Sequence, residues 1–65
     1  MTKEVLNKLP KNILANIKNY KKQYNGLHDQ KDEYRGRMAG YVKGLRDAGA
    51  ITERERQVIF VYMTV

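Results

Sequence analysis

Tyr34-Arg35-Gly36-Arg37-Met38-Ala39-Gly40-Tyr41-Val42-Lys43-Gly44-Leu45 is the stretch whose reading decides the fold. Its apolar residues, Tyr34, Met38, Tyr41 and Leu45, recur at steps of three and four, the period of a helix with one buried face. Its glycines oppose that reading. Each interior glycine costs a helix about 1 kcal/mol relative to alanine, so the trio costs roughly 2–3 kcal/mol. A chain of 65 residues has little stability to spare. At about 100° per residue, Gly36 and Gly40 fall opposite the apolar stripe and Gly44 nearer its edge. Three arrangements fit: a neighbouring helix lies against the bare strip, the strip is a docking groove for a partner, or the helix is irregular there. The first is the expectation. Residues 30–48 coil because nearby backbone fills the gap.

Working outward, the sequence predicts an all-α, single-domain protein over residues 1–65, a small three-helix bundle. The first helix spans about 3–24 on the stripe Leu6, Leu9, Ile13, Ile17, Tyr20 and Tyr24. It is interrupted near Pro10, which deletes a backbone hydrogen bond and crowds the preceding turn. Either the helix kinks there, or Pro10 opens the main helix and residues 2–8 form a looser arm; the arm is the favoured reading. Asn25-Gly26 breaks the helix, and Asp29 is the expected N-cap of a second helix over 30–48. Ala48 closes that helix's apolar stripe, Val42 widens it, and Gly49 stops the helix. Thr52 and Glu55 match a capping box, so a third helix covers about 53–64. Val58 to Met63 also suits a strand, but no second strand signal exists to pair with it.

Composition removes several functions. The absence of cysteine leaves neither disulfide nor thiolate, and the absence of serine removes serine nucleophiles. His28 stands alone in a loop and makes a poor zinc site. Asp29, Asp32 and Glu33 read as capping and surface charges beside Lys31 and Arg35. No phosphate loop occurs, and Gly36 to Gly40 follows no strand, so no nucleotide fingerprint exists. No enzyme activity, cofactor, metal or small-molecule substrate is expected. A hydrophobic signal segment is missing, and the longest apolar run is far short of a membrane span, so the expected location is the cytoplasm.

Two binding classes remain. The run Val58 to Met63 is apolar on every side, and two short helices cannot cover all of it. The remainder suits a protein partner, with Phe60 and Tyr62 as anchors beside the strip of Gly36, Gly40 and Gly44. The alternative starts from charge: thirteen basic residues against seven acidic give +6, a field suited to nucleic acid. Lys11, Lys18 and Lys22 lie on one flank of the first helix with Asn12, Asn16 and Asn19 beside them. Arg35, Arg37 and Lys43 would extend the patch across the glycines. A helix-turn-helix is disfavoured, because the leading turn of the third helix carries Glu53 and Glu55, which phosphate repels.

The second half, from Tyr34-Arg35-Gly36-Arg37-Met38-Ala39-Gly40-Tyr41 through Gly44-Leu45, Ala48-Gly49, Ile51-Thr52-Glu53 and Glu55 to Tyr62 and Thr64, resembles the small uncharacterised proteins of prophages and conjugative elements of Gram-positive bacteria. The resemblance implies an accessory protein of a mobile element and carries over no functional residues. The resulting expectation is a protein-interaction module acting on a partner or on a second copy of itself, with nucleic-acid binding as the alternative.

Overall fold

The computed structural model describes residues 2–65, and all of its regular structure is helical: α1 (Thr2–Asn7), α2 (Lys11–Gly26), α3 (Lys31–Asp47) and α4 (Glu53–Thr64). Four helices therefore stand where a three-helix bundle was expected. The extra one is α1. Six residues cannot hold a helix alone, but Leu6 is buried, and Val5 and Leu9 pack against the shared core. Docking on α4 supplies what local propensity lacks, so residues 2–7 are a helix rather than a loose arm. Pro10 sits just before α2 in extended conformation, φ −55° and ψ 150°. Its missing N–H is harmless there, and its carbonyl accepts from Leu14 at 3.0 Å, opening the α2 ladder.

The joints between helices follow local chemistry, with two departures. α2 runs through Gly26 instead of stopping at Asn25. The cap position of α3 is held by Gln30, not Asp29. Gln30 adopts a left-handed conformation, φ 57°, and makes no side-chain cap bond. The other end of α3 behaves as its glycine requires. Gly49, at φ 79°, donates to Arg46 O at 2.9 Å, and Ala50 donates to Leu45 O at 2.9 Å, the paired bonds of a Schellman stop. Ala48 lies outside α3 and is exposed, so it does not extend the buried stripe. The capping box of α4 is complete. Glu55 N donates to Thr52 Oγ1 at 3.1 Å, and Thr52 N donates to Glu55 Oε1 at 2.8 Å. Glu53 then accepts from Arg56, Arg46 and Gln57, which hold its carboxyl well below the usual carboxylate range.

The core comprises Leu6, Ile17, Tyr24, Met38, Val42, Ile51, Ile59 and Met63. α4 lies at its centre and packs against each of the other three helices. A helix apolar on every side needs cover on every side, and α1 provides the third wall that the two long helices leave open. Of the large apolar side chains, Val61 and Val65 remain outside, 58% and 78% exposed. Lys21 seals the C-terminal end of α4. Its Nζ donates to Tyr62 O and Val65 O, both at 2.8 Å, and stands 4.7 Å from the centre of the Tyr62 ring.

The glycine strip overturns the expectation of a packed neighbour. α3 is regular from Lys31 to Asp47, yet Gly36, Gly40 and Gly44 are exposed, and a Cβ added at any of them would meet nothing within 4 Å. No backbone nestles there, because α2 and α4 both approach α3 on the opposite side, over Met38 and Val42. A side chain at these positions therefore has room, and no clash opposes it. Gly40→Ala is expected to stabilise the fold by about 1 kcal/mol. In a domain of this size the melting temperature should rise by about 4–8 °C, readable by circular dichroism. A lower melting temperature would show that something does lie against this face in solution.

Candidate functional site

The outward face of α2 is built from its period. With Ile17 and Tyr24 turned into the core, a step of about 100° per residue puts Lys11, Lys18, Lys22 and Ala15 on the opposite side, flanked by Asn12, Asn19 and Gln23. All of these are exposed. The lysines span roughly 16 Å along the helix at about 1.5 Å per residue. No carboxylate occurs anywhere in α2. The polar groups of the face, around Ala15, are therefore ammonium and amide: cations to meet phosphate, and carboxamides able to donate or accept beside them.

Charge is unevenly shared along the chain. Residues 1–26 carry six lysines and one acid, Glu4, whereas residues 27–65 carry seven basic residues and six acids. In the second half three of the six acids meet arginines. Asp32 lies 3.7 Å from Arg35, Asp47 lies 3.2 Å from Arg46, and Glu53 binds both Arg46 and Arg56. Such exposed pairs contribute little stability each, but they flatten the local field. The field that survives belongs chiefly to α2, which carries four lysines and no acid, whereas Lys3 and Glu4 cancel in α1.

Of the sequence-predicted cations, the structure brings together Lys11, Lys18 and Lys22. Arg35 does not join them. It donates to the Tyr24 hydroxyl at 2.6 Å and pairs with Asp32; that hydrogen bond, with the Tyr24 and Asp32 electrostatics, raises its pKa. Arg37 and Lys43 flank the glycine strip on opposite sides, about 120° apart around α3, with Glu33 and Asp47 between them. The surface around Gly36, Gly40 and Gly44 is thus mixed in charge. Phe60 and Tyr62 are partly buried against the core, and Tyr62 lies under Lys21, so the outward apolar residue of α4 is Val61. Val61 borders an open groove of about 310 Å³ with Thr2, Gln57 and Val58.

Two features escaped the sequence reading. The first is a tyrosine seam between α2 and α3. Tyr20 lies 5.9 Å from Tyr34 and 5.1 Å from Tyr41 between ring centres, and Tyr24 stacks on Tyr34 at 6.4 Å. The hydroxyl tips are tied to α2. Tyr34 donates to Gln23 Oε1 at 2.8 Å, and Asn16 Nδ2 donates to the Tyr41 hydroxyl at 3.3 Å. Burial pushes the Tyr34 hydroxyl above its ordinary pKa, Tyr20 adds to this, and Arg37 opposes it, so Tyr34 stays a neutral donor. The tyrosines were legible as stripe residues. Their partners were not, because the relative height of two helices is set by packing.

The second feature is a half-open cleft of about 210 Å³ at the α2–α3 turn, lined by Leu27, Gln30, Glu33, Tyr34 and Arg37. Glu33 and Arg37 stand one helical turn apart in the order that favours an ion pair, yet they form none. The i,i+4 spacing was visible in the sequence; the separation of the two side chains was not.

Among the described residues, no three acidic or histidine side chains cluster as metal ligands, and no helix is long and apolar enough to cross a membrane. No family model, curated protein or solved structure matches the chain.

Proposed function

We propose that this is a non-catalytic nucleic-acid-binding protein that holds the phosphate backbone on the outward face of α2. The observation that carries the reading is the carboxylate-free face of Lys11, Lys18 and Lys22 with its flanking amides. A solubilising surface mixes both signs, as α3 and α4 do here. A membrane-surface helix needs a free apolar side, and that of α2 is packed in the core. An accessory role of this kind accords with the resemblance to small proteins of mobile elements.

The test is fluorescence anisotropy with a labelled single strand at 50 and 200 mM salt. Three phosphate contacts imply a slope of log affinity against log salt of about −2. Absence of binding at 50 mM salt rejects the reading. A second reading, contact with a protein partner or a second copy, draws on one observation: Val61 and Val65 are exposed beside the groove of about 310 Å³. Light scattering that finds a dimer, dispersed by Val61→Lys, would favour it.

A further inference from the structure

We infer that the cleft at the α2–α3 turn receives one unpaired guanine from a single strand whose backbone lies along α2; this rests on the reading of α2 as a phosphate-binding face. Position supports it. Leu27 follows the last turn of α2, roughly 8 Å along the axis from Lys22 and about 140° around it, so a strand laid along the lysines reaches the cleft by turning over the C-terminal end of α2. Size supports it as well. At about 210 Å³ the cleft is smaller than the roughly 300 Å³ at which pockets for drug-sized ligands begin. It suits a single planar ring system whose sugar and phosphate stay outside.

The lining selects the base. Leu27 and Tyr34 supply an apolar and an aromatic wall, the surface on which unstacked bases settle. Glu33 offers only acceptors, and guanine is the base that presents two adjacent donors, N1–H and the 2-amino group, to a carboxylate. Cytosine and adenine set an acceptor beside their donor, and thymine sets carbonyls on both sides of its one N–H; each would face Glu33 with repulsion. Arg37, one turn on, is placed to donate to the guanine O6 edge or to the adjoining phosphate. Glu33 and Arg37 both line the cleft and are not paired with each other, which leaves each to meet a different edge of the same ligand. The edge that Glu33 reads is occupied in a duplex, so the base must be unpaired.

The experiment compares three labelled strands by anisotropy at 50 mM salt: oligothymidine, the same strand with one central guanine, and the same strand with hypoxanthine there. The guanine strand is expected to bind about tenfold tighter than oligothymidine, and hypoxanthine, which lacks the 2-amino group, to lose most of that gain. Glu33→Gln should abolish the guanine preference while oligothymidine affinity holds or rises slightly; Glu33 is exposed, and unchanged helical circular dichroism confirms the fold. Equal binding of all three strands overturns the inference and leaves the α2 reading standing. So does a Glu33→Gln protein that keeps the preference. Failure of every strand to bind sinks both.

Discussion

Replacing Lys11, Lys18 and Lys22 together by glutamine is expected to weaken single-strand binding on the order of 10²-fold at 50 mM salt and on the order of tenfold at 200 mM. The two figures come from one cause. Each lysine that neutralises a phosphate releases about 0.7 of a condensed cation, and that release is worth more as the bulk salt becomes more dilute. The variant should therefore lose slope as well as affinity, its salt dependence falling by about 2. All three side chains are exposed and make no ion pair, so melting should hold within about 0.5 kcal/mol of the parent. Lys21→Gln is the informative contrast. Lys21 is one residue from Lys22 but turned toward α4, bonded to Tyr62 O and Val65 O. Its loss should lower stability and leave the salt slope alone. A triple variant that binds like the parent would make the α2 face an ordinary hydrated surface.

Ile59→Ala is expected to destabilise the fold by about 2–5 kcal/mol, the range for truncating a buried aliphatic side chain to alanine. Ile59 is 0% exposed on the helix that all the others touch, and Ile17, Met38, Val42 and Met63, equally enclosed, share its core. A cavity there cannot collapse by moving one helix, because α4 is held on three sides. Domains of this size have only about 5 kcal/mol or a little more in hand, so urea or thermal unfolding should show a midpoint lowered severely, to a largely unfolded protein at 37 °C where the loss reaches the upper end of that range. Val61→Ala, two residues on and 58% exposed, should shift stability by no more than about 0.5 kcal/mol. Similar losses at both positions would mean that α4 is not the central helix.

Much of this architecture was legible residue by residue. The stripe from Leu6 to Tyr24 lies in or against the core as its period demands. Thr52 with Glu55 forms its capping box, and Gly49 takes the left-handed conformation that a helix stop requires. Each is a short-range matter, settled within four or five residues. Asp29 shows the limit even of local rules, since Gln30 holds the cap position in its place. The candidate site was half legible: Lys11, Lys18 and Lys22 share a face because one helix carries them, whereas Arg35, on another helix, was drawn away by Tyr24 and Asp32.

The glycines mark the boundary between the two kinds of information. Sequence alone determined that Gly36, Gly40 and Gly44 share one side of a helix, that the chain is helical and basic, and that serine and thiol chemistry is absent, because period, composition and charge are properties of the order of residues. Tertiary structure alone decided that this side faces water, that residues 2–7 become a helix by docking on α4, and that Glu33 and Arg37 stand apart around a cleft. Those outcomes depend on which helices compete for the same apolar surface. α4 needs cover on every side and draws α1, α2 and α3 around itself, which leaves nothing to cover the back of α3.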